Sequence, residues 1–102
     1  MPAVTRFGDA DVSHCSGMTR KGCSPNVFAN GIAVSRQGDN NTSHLLPAPI
    51  CPSHAQPIAV GSTTVFCNSD ANGNALGIGR VGDSIQSCTS VAAGSPNVFA
   101  GG

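Results

Sequence analysis

Neither Trp, Tyr nor Glu occurs in this chain, and Phe occurs only four times. The first two absences exclude a core built on large aromatic side chains. Charge is scarce as well: 10% of residues are charged, against roughly 25% in ordinary soluble domains. The formal net charge is zero, and the five cations Arg6, Arg20, Lys21, Arg36 and Arg80 are scattered. No basic stripe forms, which argues against nucleic acid as a partner. A surface rich in Ser, Thr, Asn and Gly instead suits a domain docked against another protein. No window approaches the ~20 apolar residues of a membrane span. The start, Met1-Pro2-Ala3-Val4-Thr5-Arg6, lacks the basic stretch and apolar run of a secretory signal. Synthesis and folding in the cytoplasm are therefore expected.

What the chain does have is punctuation. Thirteen Gly and seven Pro among 102 residues leave no room for long regular elements. Val and Ile outnumber Leu, which favours short strands over helices. The expected class is all-β, loop-rich, without a long helix, in one domain over residues 1–102. Domains of this size bury a modest core and commonly draw on a metal, disulfides or a partner for stability. Five cysteines, Cys15, Cys23, Cys51, Cys67 and Cys88, are an odd number. In a reducing compartment that speaks against a disulfide framework and for metal ligation or burial.

An internal repeat organises the sequence. Ala3-Val4-Thr5-Arg6-Phe7-Gly8-Asp9, Ala33-Val34-Ser35-Arg36-Gln37-Gly38-Asp39 and Gly77-Ile78-Gly79-Arg80-Val81-Gly82-Asp83 share Arg, any residue, Gly, Asp. A second element reads Ser24-Pro25-Asn26-Val27-Phe28-Ala29, Ser62-Thr63-Thr64-Val65-Phe66-Cys67 and Ser95-Pro96-Asn97-Val98-Phe99-Ala100. In mid-chain the two elements are joined by Asn30-Gly31, a pair suited to a tight hairpin turn. Each unit is thus expected to be a β-hairpin followed by a Gly-Asp turn and a loop. The chain begins with a second arm and ends with a first arm. The reading that follows has residues near Val98 pairing with residues near Val4, closing three hairpins into a pseudo-threefold ring without exposed strand edges.

Five residues beyond each repeated Asp stand His14, His44 and Cys88. A threefold arrangement brings those three together, three corners of a tetrahedron. The fourth corner falls to a residue outside the repeat, for which His54 is the best candidate, with Cys51 and Cys15 as alternatives. Imidazole nitrogen and thiolate suit Zn²⁺, and four protein ligands close the site, making it structural. Cys67 reads as a small buried residue in a strand and Cys23 as inert. The Gly-Asp pairs read as turns, with Asp accepting backbone N–H groups and Arg pairing with Asp within or between units.

The hairpins with Val-Phe, Asn-Gly and Arg-x-Gly-Asp, closed by Gly94-Ser95-Pro96-Asn97-Val98-Phe99-Ala100-Gly101, resemble the PAAR-repeat family over essentially the whole chain. The Pro-Ala-Ala-Arg string itself is absent: Ile32-Ala33-Val34-Ser35-Arg36 and Leu76-Gly77-Ile78-Gly79-Arg80 stand in its place. The resemblance implies a small cone. Its base caps the trimeric β-helical spike of a contractile phage tail or type VI secretion system, one copy per trimer. Near its point one zinc is held by three His and one Cys, here His14, His44, His54 and Cys88. It implies a structural tip that pierces a target membrane, with no small-molecule substrate. The segment between Cys67 and Leu76 reads as an inserted side loop, and a bare tip without an appended toxin domain is expected. A cargo adaptor on the same fold is the nearest rival. A zinc hydrolase fits poorly, because a catalytic zinc needs an open position and usually a nearby base.

Overall fold

The structure, a computed structural model, describes residues 1–13, 17–45, 53–86 and 89–101, with 44, 45, 53 and 54 described by backbone. Asn30 and Gly31 take φ of 57° and 75°, the left-handed pair that lets a two-residue turn follow the twist of its strands. That turn folds β1 (Phe28–Ala29) back on β2 (Ile32–Ala33), with Phe28 opposite Ala33 and Ala29 opposite Ile32. A second antiparallel pair joins β3 (His44–Leu45) to β4 (Ser53–His54). The third joins β5 (Phe66–Ser69) to β6 (Ala75–Gly77). Among the described residues there is no helix, and the strands form three two-stranded antiparallel sheets. The class is all-β, as expected. The radius of gyration, 12.9 Å, matches the ~13 Å of a compact chain of this length, so the three ladders are packed and not strung out.

The segment between Cys67 and Leu76 is the long connection of the third ladder: β5 runs on to Ser69, residues 70–74 turn, and β6 begins at Ala75. Asn68 leaves the ladder at φ 63° and shifts its register; Asn tolerates that conformation because its short side chain can bond locally. At the far end Asp70 Oδ1 accepts the N–H groups of Asn72 and Asn74, both at 2.9 Å.

What ties the ladders together is a closed cycle of backbone hydrogen bonds. The Ser35 N–H donates to the Thr5 carbonyl at 3.0 Å, that of Gly79 to Ser35 at 2.8 Å, and that of Thr5 to Gly79 at 3.0 Å. Just outside the cycle the N–H groups of Phe7, Gln37 and Val81 donate to Ala33, Gly77 and Ala3, each at 2.8 Å. Val4 N–H reaches the Val98 carbonyl at 2.9 Å, and Ala3 bridges Phe99. Both ends of the chain therefore lie in one sheet-like contact, as the order of arms predicts. Behind this cycle sits the main core: Val4, Ala29, Val34, Cys67, Ile78 and Ala100, all buried. A smaller cluster of Ile58, Ile85 and Val91 lies apart from it, with Val81 packed alongside.

Candidate metal centre and its supporting layer

Each Arg-x-Gly-Asp turn is built alike. Gly8, Gly38 and Gly82 take φ of 84°, 85° and 92°, where a side chain would be strained. The reversal lets the Asp carboxylate reach back within its own turn. Asp9, Asp39 and Asp83 accept the backbone N–H of Arg6, Arg36 and Arg80 at 2.8–2.9 Å. The same carboxylates take two guanidinium nitrogens each, a bidentate pairing. The remaining guanidinium nitrogen crosses to a neighbouring hairpin: Arg6 to Asn30, Arg36 to Asn68, Arg80 to the Gly101 carbonyl. Hydrogen bonds donated to Asp9 and Asp39 hold Arg6 and Arg36 more firmly protonated than usual. Of the alternatives open to the repeated Arg, pairing within its own turn is the one observed.

Beyond these turns the backbone runs toward the candidate zinc ligands. Val12, Thr42 and Gln86 donate to the carbonyls of Ser90, Thr19 and Pro57 at 2.8, 2.9 and 2.9 Å. They stand two residues before His14, His44 and Cys88, so the three approaches are fixed by the same kind of contact. His14 and Cys88 themselves, with Cys15 and Cys51, lie outside the described residues. His44 and His54 are described by backbone, and they are direct cross-strand partners in the β3–β4 ladder. Among the described residues this is the one pair of candidate ligands brought together. Among the described residues no group of three or more His, Cys or acidic side chains gathers in one place.

Under those approaches lies a feature that repeat matching does not reveal. Arg20 and Asp11 form an ion pair at 2.9 Å with both side chains 0% exposed. Asn41 Nδ2 donates to the same Asp11 oxygen at 3.1 Å. Arg20 also donates to Ser35 Oγ at 3.3 Å and to the Asp39 carbonyl at 2.6 Å. A buried guanidinium demands this degree of pairing, because an uncompensated charge there is strongly destabilising. The one signal in the sequence is that Arg20 stands where the matching segments carry Ile58 and Val91.

The two described cysteines are unlike. Cys67 is buried in the main core, and loss of hydration pushes its thiol pKa up, leaving it a neutral apolar filler as expected. Cys23 is half-buried beside Ser24. Ser24, Ser62 and Ser95 share one role, each Oγ accepting the N–H three residues on, from Val27, Val65 and Val98. Those bonds start the first arms and turn Phe28, Phe66 and Phe99 outward, each about half exposed. No family model matches the chain, and no curated protein matches it.

Proposed function

We propose that three β-hairpin units close about a pseudo-threefold axis into a cone whose wide end caps a trimeric β-helical spike. One zinc ion, held by His14, His44, His54 and Cys88, pins the narrow end. The protein is then the structural, membrane-piercing tip of a contractile injection machine, like the PAAR-repeat proteins it resembles. The observation that carries this reading is the closed hydrogen-bond cycle of Thr5, Ser35 and Gly79, because a cycle of three backbone bonds has the symmetry of a threefold partner. Three matched Arg-x-Gly-Asp turns surround it. Phe28, Phe66 and Phe99 offer one outward apolar contact per unit.

The zinc assignment is supported by the donor set and the approaches. His44 and His54 are paired across one ladder, and matched bonds hold the residues just before His14, His44 and Cys88. When bound, zinc would supply folding free energy in place of the aromatic core the chain lacks, on the order of 10 kcal/mol as in zinc peptides. A hydrolytic role gains no support, since every Asp is engaged: three by turn arginines, Asp11 by Arg20, and Asp70 by hairpin amides. The adaptor reading rests on one observation. The β5–β6 hairpin extends well beyond its counterpart at Asn30-Gly31, and it is exposed from Ser69 to Ala75. That gives one unit a surface the other two lack, suited to carrying a second protein.

Native mass spectrometry of the protein mixed with a candidate trimeric spike protein tests the function. One copy per trimer is expected, with little loss at high salt, because so few charges are available to steer the contact. Absence of binding, or three copies per trimer, would refute the tip assignment.

A further inference from the structure

Two Asn-Gly pairs stand at hairpin tips, Asn30-Gly31 and Asn72-Gly73, and both asparagines face solvent. The pair is chemically distinctive, because glycine has no Cβ to shield its amide nitrogen from the preceding carboxamide. Exposure does not separate the two sites, but hydrogen bonding does. The Asn30 carboxamide is held at both ends. Its Nδ2 donates to Asn97 Oδ1 at 2.7 Å, while Oδ1 accepts from Ser95 Oγ and, at 3.2 Å, from Arg6. Those partners belong to other segments, so releasing Asn30 undoes contacts that join the hairpins. Among the described residues none bonds the Asn72 carboxamide. Only the Asn72 backbone N–H is held, by Asp70 Oδ1 at 2.9 Å.

We propose that Asn72 is a site of spontaneous deamidation gated by opening of its hairpin tip, and that Asn30, in the same dipeptide, is protected. The reaction consumes only water. With its proton lost to solvent, the Gly73 amide nitrogen attacks Asn72 Cγ. The nitrogen–Cγ bond forms, the Cγ–Nδ2 bond breaks, and Nδ2 leaves as ammonia. Water then opens the resulting succinimide ring at either carbonyl. Cleavage of the new bond gives aspartate, and cleavage of the original peptide bond gives isoaspartate. In the closed turn the Gly73 N–H donates to the Asp70 carbonyl at 3.0 Å, so the tip must open before the nitrogen can attack. The Asp70 N–H donates to the Asn74 carbonyl at 2.9 Å, and Asp70 Oδ1 takes the N–H groups of Asn72 and Asn74. Every one of these bonds lies within residues 70–74, so opening costs the tip alone and leaves the ring closed. The product carries a new negative charge on a chain whose formal net charge is zero, and isoaspartate also adds a backbone methylene. Both changes fall on the one hairpin that the other units do not match.

The test incubates the full-length protein in mildly alkaline buffer and maps its peptides by mass spectrometry. Each site is read by the mass difference between carboxamide and carboxylate. In the native protein Asn72 should convert at least about tenfold faster than Asn30. In guanidinium chloride, where only the shared dipeptide remains, the two rates should agree within about twofold. Native conversion of Asn72 no faster than that of Asn30 would overturn the proposal. So would a disparity in denaturant as large as the native one, because sequence and not structure would then discriminate. Asp70→Ala removes the carboxylate clamp on the tip and should speed native conversion of Asn72 about fivefold. The same variant should leave the rate in denaturant unchanged. A native rate equal to the parent's would refute gating by the tip.

Discussion

Two neighbouring regions of this small protein solve the same packing problem in opposite ways. The main core repeats itself: Val4, Val34 and Ile78 are buried beside Ala29, Cys67 and Ala100, an apolar residue at every matching position. The next layer breaks the pattern, with Arg20, Asp11 and Asn41 buried at positions where their counterparts are Ile58, Ile85 and Val91. Likeness suits a region built on one repeated backbone contact, whereas the buried guanidinium of the next layer must be met by polar partners that the matching positions lack. Sequence repetition therefore reports the first region well and conceals the second.

The difference is broken most severely at Arg20. Arg20→Met removes the cation and leaves the Asp11 carboxylate buried, a loss of about 3–5 kcal/mol in a denaturant titration. By contrast Val34→Ala, in the repeating core, removes two methyl groups and should cost about 1–3 kcal/mol. Equal losses would erase the distinction drawn between the layers.

A smaller effect is expected at Gly79, where likeness reaches its limit. Thr5 and Ser35 carry side chains at the matching positions, but a Cβ on Gly79 would stand 2.7 Å from Ile58 Cδ1 and 2.9 Å from the Ser35 carbonyl oxygen. The cycle has room for two side chains at its centre and not three. Gly79→Ala should cost about 1–3 kcal/mol through overpacking, while Ser35→Gly should not reproduce that clash. Thermal melts of the two variants separate the outcomes.

Equivalence itself is tested at the three turn arginines, whose carboxylate partners sit in nearly identical surroundings. Arg6→Gln, Arg36→Gln and Arg80→Gln should each lower stability by a similar amount, agreeing within about 0.5 kcal/mol. A threefold disparity would mean that the turns are alike in shape alone.

The smallest effect belongs to the extended hairpin. Amide donors from Asn74 and Asn72 hold the Asp70 carboxyl below its ordinary pKa. Because the folded value is depressed, the contribution is present above the unfolded carboxylate range and disappears as pH falls through the folded value. Local fraying of residues 69–75 in acid, seen as faster amide exchange, should precede any change at Ser35. Asp70→Asn should abolish that pH step and leave the ring untouched.

Much of this was legible because backbone demands leave signatures. Asn30-Gly31 foretold the turn, Arg-x-Gly-Asp foretold its carboxylate staple, and the order of arms foretold the Val4–Val98 contact. The Arg20 network was illegible because alignment of repeats rewards similarity, and a guanidinium aligned with Ile58 and Val91 looks like a surface substitution. The extent of β5 beyond Cys67 was not legible, because Asn68 bulges the strand and its left-handed conformation interrupts the alternation by which strands are recognised. At the candidate zinc site, spacing from the repeated Asp proposed His14, His44 and Cys88. His54 came by elimination, and its pairing with His44 is a property of a ladder that no spacing rule contains.

Whether three loop ends share one metal ion is measured directly by elemental analysis of the purified protein beside its His44→Ala variant. One zinc per chain is predicted, lost in the variant together with the cooperative thermal transition, because closing the site and folding the chain are coupled. A parent protein that contains no zinc, and melts at the same temperature with and without a strong chelator, would contradict it.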